Sequence, residues 1–148
     1  MQTKTGYSKT EYQQVNLKPP FTEISALAKV RAIQHCWNSC DPEKIVEIFD
    51  GEAQLLNRGN LIQGVPAILS FLRHRLDREL HCNIRMELWS FTEARTSASF
   101  QSEWRDAIRG QWYRTEGNMQ LCFSEQGLVS KLSISAYDIQ IAADERKF

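Results

Sequence analysis

The stretch Phe100-Gln101-Ser102-Glu103-Trp104 is among the most informative of the chain, because apolar and polar side chains alternate along it and its neighbours. A period of two is typical of a strand with one face against a core and the other face polar. The same pattern recurs around it and predicts strands near residues 82–92, 95–106, 110–124 and 128–139. The turns between these segments are short, so we expect sequential antiparallel neighbours in a curved sheet.

The first half of the chain has helical patterns instead. Thr22 is a plausible cap for an amphipathic helix that ends near Trp37, and Asp41-Pro42 starts a second, short helix. A hairpin is expected over residues 52–63, followed by a third helix from about Pro66 to Leu80. Helices followed by a meander predict an α+β fold.

The domain organisation predicted from the sequence is simple. Residues 1–18 are polar and lack periodicity, which indicates a flexible tail, and residues 19–141 form a single domain. Residues 142–148 are charged and are expected to fray, with docking of Phe148 as the alternative.

Composition excludes several classes of protein. The 148 residues carry 18 basic and 18 acidic side chains, so general attraction to nucleic acid or to anionic membranes is not expected. The sequence has neither an apolar run of membrane-spanning length nor a signal peptide, which predicts a cytoplasmic protein with reduced thiols.

Motifs for metals and cofactors are incomplete. Cys36 and Cys40 have a spacing suitable for zinc, but nothing pairs cleanly with Cys82, so no metal is predicted. Gly-rich phosphate loops and nucleophile elbows are absent from the sequence, which favours a cofactor-independent function.

In the order of its elements and in several short motifs, the chain resembles the nuclear transport factor 2-like superfamily. Within that superfamily it is most similar to an uncharacterised bacterial SnoaL-like family. The matching residues include Pro20-Phe21-Thr22, Trp37-Asn38-Ser39, Asn57-Arg58, Glu79-Leu80, Glu87-Leu88-Trp89, Glu103-Trp104, Gly110-Gln111-Trp112 and Gly117-Asn118. The resemblance implies a cone, in which a bent sheet wraps a long amino-terminal helix and leaves a cavity, and it implies a homodimer formed through the outer sheet face.

The chain departs from the family pattern at three places near the expected pocket. Gln54-Leu55-Leu56 stands where a tryptophan is usual, and Met119 and Leu121 replace an acid and an aromatic residue. Tyr137-Asp138 replaces an Asn-Asp pair. These changes remove groups that could orient a ligand, so they indicate either a different ligand or a lost activity.

Glu87, Glu103 and Asp138 are the candidate general acids or bases, because a carboxylate in an apolar pocket can exchange protons near neutral pH. Alternation puts Glu87 on the same face as Trp89 and Phe91, and Glu103 opposite Trp104. If the Trp89 face is inward, Glu87 is a buried acid. If it is outward, Glu87 belongs to a dimer surface.

The candidate ligand-binding residues combine cations, rings and amides. Arg58 and Arg114 offer planar forks for an anion, or else they form structural ion pairs with Glu87, Glu103 or Glu116. Asp138 with Arg114 is the only pair that the sequence suggests towards an Asp-Arg-Asp site of the epoxide hydrolase type. The remaining candidates for the pocket are Trp89, Trp112, Asn118 and Tyr137.

Two hypotheses follow from these residues. The first is a protein that binds a small, partly apolar molecule in the cone, with cofactor-free acid-base chemistry of the isomerase, hydrolase or dehydratase type. The second is a non-catalytic homodimeric module with a degenerate pocket, in which tryptophan rings such as Trp104 build an interface instead of stacking on a ligand.

Overall fold

The computed structural model describes residues 17–148. Most of the predicted amino-terminal tail therefore lies outside the described residues. The helices are α1 (Glu23–Trp37), α2 (Pro42–Ile45) and α3 (Val65–Arg78), with short 3₁₀ turns at Val46–Ile48 and Ala143–Glu145. The strands are β1 (Phe49–Asn57), β2 (Asn60–Gln63), β3 (Glu79–Phe91), β4 (Arg95–Asp106), β5 (Trp112–Phe123) and β6 (Val129–Ile141).

Both ends of α1 are fixed by side chains. Thr22 and Ser25 form a reciprocal capping box, as the sequence predicted for Thr22. Near the other end, the Asn38 side chain exchanges two hydrogen bonds with the backbone of Ile84, and Gln34 Oε1 accepts from the N–H of Met86 at 2.7 Å. These bonds satisfy the free edge of β3 and hold α1 along it.

The six strands form one sheet in the order β2, β1, β6, β5, β4, β3. The predicted meander of four antiparallel strands and the α+β class are confirmed. The predicted hairpin of β1 and β2 also exists, and β1 joins the sheet by pairing parallel to β6. Periodicity cannot reveal this pairing, because it identifies strands without identifying their partners.

Buried side chains identify the inner face of the sheet. Ile84, Phe100, Met119 and Ile134 all belong to the core, under α1 and α3. Because alternate residues point to opposite faces, Ser102, Thr115 and Asp138 share this inner face, while Glu87, Glu103, Arg114, Glu116, Asn118 and Tyr137 lie on the outer face. Glu87 therefore points away from the core and is not the buried acid of the first alternative.

An irregularity in β3 corrects the expectation that Glu87, Trp89 and Phe91 share a face. The register shifts between Leu88 and Ser90, so that Phe91 pairs with Thr96 instead of continuing the alternation. Trp89 is the extra residue, and it is 78% exposed. A bulge of this kind inserts one residue and reverses the facing of those that follow it.

Gly117 of β5 lies directly opposite Ala136 of β6. A Cβ atom at this position would overlap the backbone oxygen of Ser135 and would lie 2.7 Å from Ala136. Only glycine fits this close approach of the two strands.

Candidate functional site

The inner face carries a row of polar side chains across three strands. Ser102, Thr115 and Asp138 are register partners on β4, β5 and β6. Thr115 Oγ1 donates to Asp138 Oδ1 at 2.7 Å and accepts from Trp104 Nε1 at 2.9 Å. Since neighbouring strands lie about 4.8 Å apart, the row extends about 10 Å, from buried Ser102 to accessible Asp138.

Asp138 forms a two-point ion pair with Arg58. Arg58 Nη1 donates to Oδ2 at 3.0 Å and Nη2 donates to Oδ1 at 2.8 Å, and both side chains are 34% exposed. Hydrogen bonds from Arg58 lower the pKa of Asp138 below its usual range; burial opposes this effect, and the bond from Thr115 adds to it. Asp138 is therefore an ionised carboxylate at neutral pH.

A small cavity of about 30 Å³ lies beside this row, between α1, α3 and the sheet. Its apolar lining comes from Leu76, Ile84 and Met119. A cavity of this size holds about two water molecules or the end of a small ligand. This cavity is therefore much smaller than a typical ligand pocket of about 300–1,000 Å³.

The polar lining of the cavity includes an ion pair and a thiol. Arg75 Nε donates to Glu79 Oε1 at 3.2 Å, and both side chains are mostly buried. Burial, with a smaller contribution from Glu79, raises the pKa of Cys82 to about 12. At neutral pH this thiol is protonated and uncharged.

Two buried polar atoms at the cavity have no hydrogen-bond partner within residues 17–148. They are Trp37 Nε1 and Ser102 Oγ, and both residues line the cavity. Asn57 Oδ1 and Thr96 Oγ1 are also unpartnered in this part of the chain, but neither residue lines the cavity. Buried polar groups almost always have a partner, so the two cavity atoms call for one.

On the outer face, Glu103 is buried beneath the carboxyl-terminal residues. Its carboxylate accepts two hydrogen bonds from Arg114 and others from the backbone N–H groups of Lys147 and Phe148. Burial raises the pKa of Glu103, but these bonds outweigh it and leave the pKa below its usual range. For residues 142–148 the sequence left fraying and docking as alternatives. The last two residues are docked against Glu103.

A wider groove of about 660 Å³ crosses the outer face. Glu116 stands in it and accepts hydrogen bonds from Gln101 Nε2 at 3.0 Å and from the Tyr137 hydroxyl at 3.2 Å. The groove is lined by Arg85, Glu87, Ser99, Glu116, Asn118 and Tyr137, among others.

The structure divides the residues that the sequence suggested for one site. Arg58 and Asp138 meet on the inner side, whereas Glu87, Asn118 and Tyr137 lie in the outer groove. The suggested pairing of Asp138 with Arg114 is wrong: β4 and β5 place Arg114 opposite Glu103, and the two form the ion pair.

The two tryptophans suggested for the pocket lie elsewhere. Trp112 stacks on His81 with ring centroids 6.3 Å apart, and the Arg146 guanidinium lies 4.3 Å from its ring centroid. Trp89 projects from the bulge.

Sequence reasoning missed most of the cavity. Neither Arg75 nor Trp37 was among the candidate site residues, although Trp37 packs against the core and its buried Nε1 atom has no partner within residues 17–148. The spacing of Arg75 and Glu79 is that of an ion pair along one helical turn, and this signal could have identified the pair. Ser102 and Cys82 carried no signal of their own.

None of the helices within residues 17–148 combines the length and the apolar character that a membrane span requires. Residues 17–148 contain no cluster of three or more His, Cys, Asp or Glu side chains that could hold a metal ion. The Cys36 thiol donates to the backbone oxygen of Lys44, and the Cys40 thiol donates to that of Cys82.

Solved structures share this fold at low sequence identity. An epoxide hydrolase/cyclase-like enzyme, SalBIII, which functions in pyran ring formation in the polyether salinomycin, superposes with a TM-score of 0.70 and 13% identity, covering 78% of this chain and 92% of that chain. A proposed isomerase from Bacillus subtilis gives 0.67 and 15%, covering 79% and 90%. A nuclear transport factor 2-like protein of unknown function from Exiguobacterium sp. 255-15 gives 0.62 and 14%, covering 76% and 98%.

At the level of sequence, no curated protein matches the chain. One family model does, over residues 19–148, and its description is "protein of unknown function (DUF1348)". The match covers the whole sheet, the three helices and the docked carboxyl terminus. The chain therefore belongs to the DUF1348 family, and it has the nuclear transport factor 2-like fold predicted from its sequence.

Proposed function

We propose that this protein binds a small, partly apolar organic molecule at the inner cavity. The observation that carries the proposal is the pair of buried, unpartnered polar atoms, Trp37 Nε1 and Ser102 Oγ, that line one cavity within the described chain. Apolar walls at Leu76, Ile84 and Met119 would contact the carbon atoms of the ligand.

Asp138 is the acid that we assign to the ligand-binding region; it does not line the cavity itself but ends the polar row beside it. It shares the inner face with Ser102 and is ionised, so it suits a hydrogen-bond acceptor or a general base better than a general acid. Arg58 and Thr115 orient it. Glu103 is occupied by Arg114 and the carboxyl terminus, and we assign it a structural role.

The similar folds support this assignment at the level of chemistry. They include an epoxide hydrolase/cyclase-like enzyme and a proposed isomerase. By analogy, and because no cofactor motif appears in the sequence, we propose that any turnover uses side chains alone.

Two serines of β4 allow a matched test. Ser102 is at the inner cavity and Ser99 lines the outer groove, so Ser102→Val or Ser102→Leu fills one space and Ser99→Leu obstructs the other. A metabolite panel would be screened by native mass spectrometry against the wild-type protein and each variant, with thermal unfolding to establish that the variants fold.

We expect bound compounds to be lost from the Ser102 variants and kept by Ser99→Leu. Loss from Ser99→Leu alone would move the ligand to the outer groove and overturn the proposal. Retention by all variants would contradict both locations.

A second candidate function is that of a homodimeric interaction module. It is favoured by the narrow cavity and by exposed apolar residues, of which Tyr137 is 58% and Ile139 is 37% exposed. Tyr137 lies on the outer sheet face, and Ile139 follows it at a spacing of two on the same face. Surfaces with exposed rings and aliphatic side chains are typical of interfaces.

Sedimentation velocity tests this alternative. We expect a dimer that Tyr137→Lys together with Ile139→Lys converts to a monomer. Ile108→Lys is the control, because Ile108 is 79% exposed but lies in the turn between β4 and β5. A wild-type protein that is monomeric at all concentrations would exclude the module.

A further inference from the structure

The two unpartnered atoms at the inner cavity differ in whether they can accept a hydrogen bond as well as donate one. The indole Nε1–H of Trp37 can only donate a hydrogen bond, and the Ser102 hydroxyl can donate one as well as accept. Both residues line the same space of about 30 Å³, so a ligand atom in that space has both as neighbours. The site therefore calls for an acceptor on the ligand.

The charges around the cavity favour an uncharged ligand. Arg75 is paired with Glu79, and Arg58 is paired with Asp138. An anion would meet two carboxylates and would have to displace one of them, whereas a cation would face two guanidinium groups. The protonated Cys82 thiol adds another neutral lining group.

The small volume of the cavity allows only one end of the ligand to enter it. A space for about two water molecules admits a single polar group and the carbon next to it. A carbonyl oxygen has two lone pairs and no hydrogen, so it satisfies both donors and leaves nothing unpartnered. An alcohol brings one more hydrogen than the site can accept: if its oxygen accepts from both donors, its own hydrogen has no partner, and if it donates to Ser102 Oγ, the serine hydrogen has none.

We propose that the ligand is a neutral carbonyl compound, a ketone or an aldehyde, whose oxygen lies between Trp37 Nε1 and Ser102 Oγ. This inference rests on the proposed function of the inner cavity and deepens it. The carbonyl carbon contacts Leu76, Ile84 and Met119, and the rest of the ligand extends outside the cavity. The polar row leads from Ser102 towards Asp138.

The test compares three probes that share the same five-membered carbon ring: cyclopentanone, cyclopentanol and cyclopentanecarboxylate. Each is titrated into ¹⁵N-labelled protein while the indole N–H resonances of the four tryptophans are recorded. Trp37→Phe identifies the Trp37 resonance by its disappearance. Trp89→Phe is the control, because Trp89 is exposed and lies outside the cavity.

We expect cyclopentanone to move the Trp37 resonance downfield and to bind about tenfold more tightly than the other two probes. Ser102→Ala and Trp37→Phe should each weaken its binding roughly three- to tenfold, as expected for the loss of one buried hydrogen bond. Trp89→Phe should leave the affinity unchanged.

Equal or tighter binding of the alcohol or the carboxylate would overturn the carbonyl assignment. So would a Trp37 resonance that none of the probes moves, which would mean that water alone occupies the cavity. The proposed function is tested separately by the metabolite panel. If wild type binds compounds that are not carbonyls and Ser102→Leu loses them, the inner cavity remains the binding site and only the carbonyl assignment is refuted.

Discussion

Two arginine-carboxylate pairs on opposite faces of the sheet behave differently despite their similar chemistry. The Glu103 side chain is 1% exposed and that of Arg114 is 11% exposed, whereas Asp138 and Arg58 are 34% exposed. Both Glu103 oxygens also accept from the backbone of the carboxyl terminus. Within the described chain, Asp138 Oδ2 accepts only from Arg58.

The comparison separates a structural pair from one that is available for a ligand. A buried carboxylate whose lone pairs are all used fixes the structure around it, and removing it leaves an uncompensated charge. A half-exposed pair contributes little to stability and keeps free acceptor capacity. The following substitutions test that distinction.

Glu103→Ala is expected to have the largest effect. It leaves Arg114 buried without its partner and releases the last two residues, so we expect a loss of about 3–5 kcal/mol in the free energy of unfolding. Urea denaturation measures this loss. Glu87→Ala, on the same face but exposed, should change stability by no more than about 0.5 kcal/mol. Equal losses of stability from the two substitutions would mean that Glu103 is not a structural anchor.

Deletion of Lys147 and Phe148 should have the next largest effect. Their backbone N–H groups donate to Glu103, and hydrogen bonds to a buried charge contribute about 1.5–3 kcal/mol. The variant Phe148→Ala keeps those donors and loses only the ring, whose centroid lies 4.3 Å from the Arg85 guanidinium carbon. If it destabilises as much as the deletion, the ring and not the carboxylate anchors the tail.

Gly117→Ala tests the close approach of β5 and β6 at Gly117. The new methyl group would meet the backbone of Ser135 and Ala136, which cannot move away independently, so we expect a loss of about 1–3 kcal/mol or more. Gly51→Ala is the matched control, because its Cβ would meet nothing within 4 Å among the described residues. Thermal unfolding of both variants measures the difference, and an unaffected Gly117→Ala protein would show that the two strands can move apart at this position.

Asp138→Asn should have the smallest effect on stability, and that effect should depend on pH. The folded pKa of Asp138 is lowered, so its contribution is present above the unfolded pKa of about 3.9 and is lost as pH falls through the folded value. For a half-exposed pair we expect at most about 1 kcal/mol at pH 7. Denaturation of wild type and variant from pH 7 to pH 2.5 should show their difference shrinking below about pH 4.

Much of the fold followed from local patterns. Thr22, Asp41 and Pro42 fixed helix starts, and period-two alternation located the four long strands to within a few residues. The candidate site was less predictable. Arg58 and Asp138 were both named, but as parts of different pairs, because Arg58 lies in a tight turn, with φ of 50°, far along the chain from its partner.

Local patterns were enough to place the helices and strands and to predict which residues share a face within an unbroken strand, because these depend on neighbours a few positions away. The identity of the inner face, the pairing of each arginine with its acid and the docking of the last two residues depend on contacts between residues far apart in the sequence. Alternation along one strand gives relative orientation alone. It does not encode the bulge at Trp89, the close approach of β6 to Gly117 or the register between distant strands.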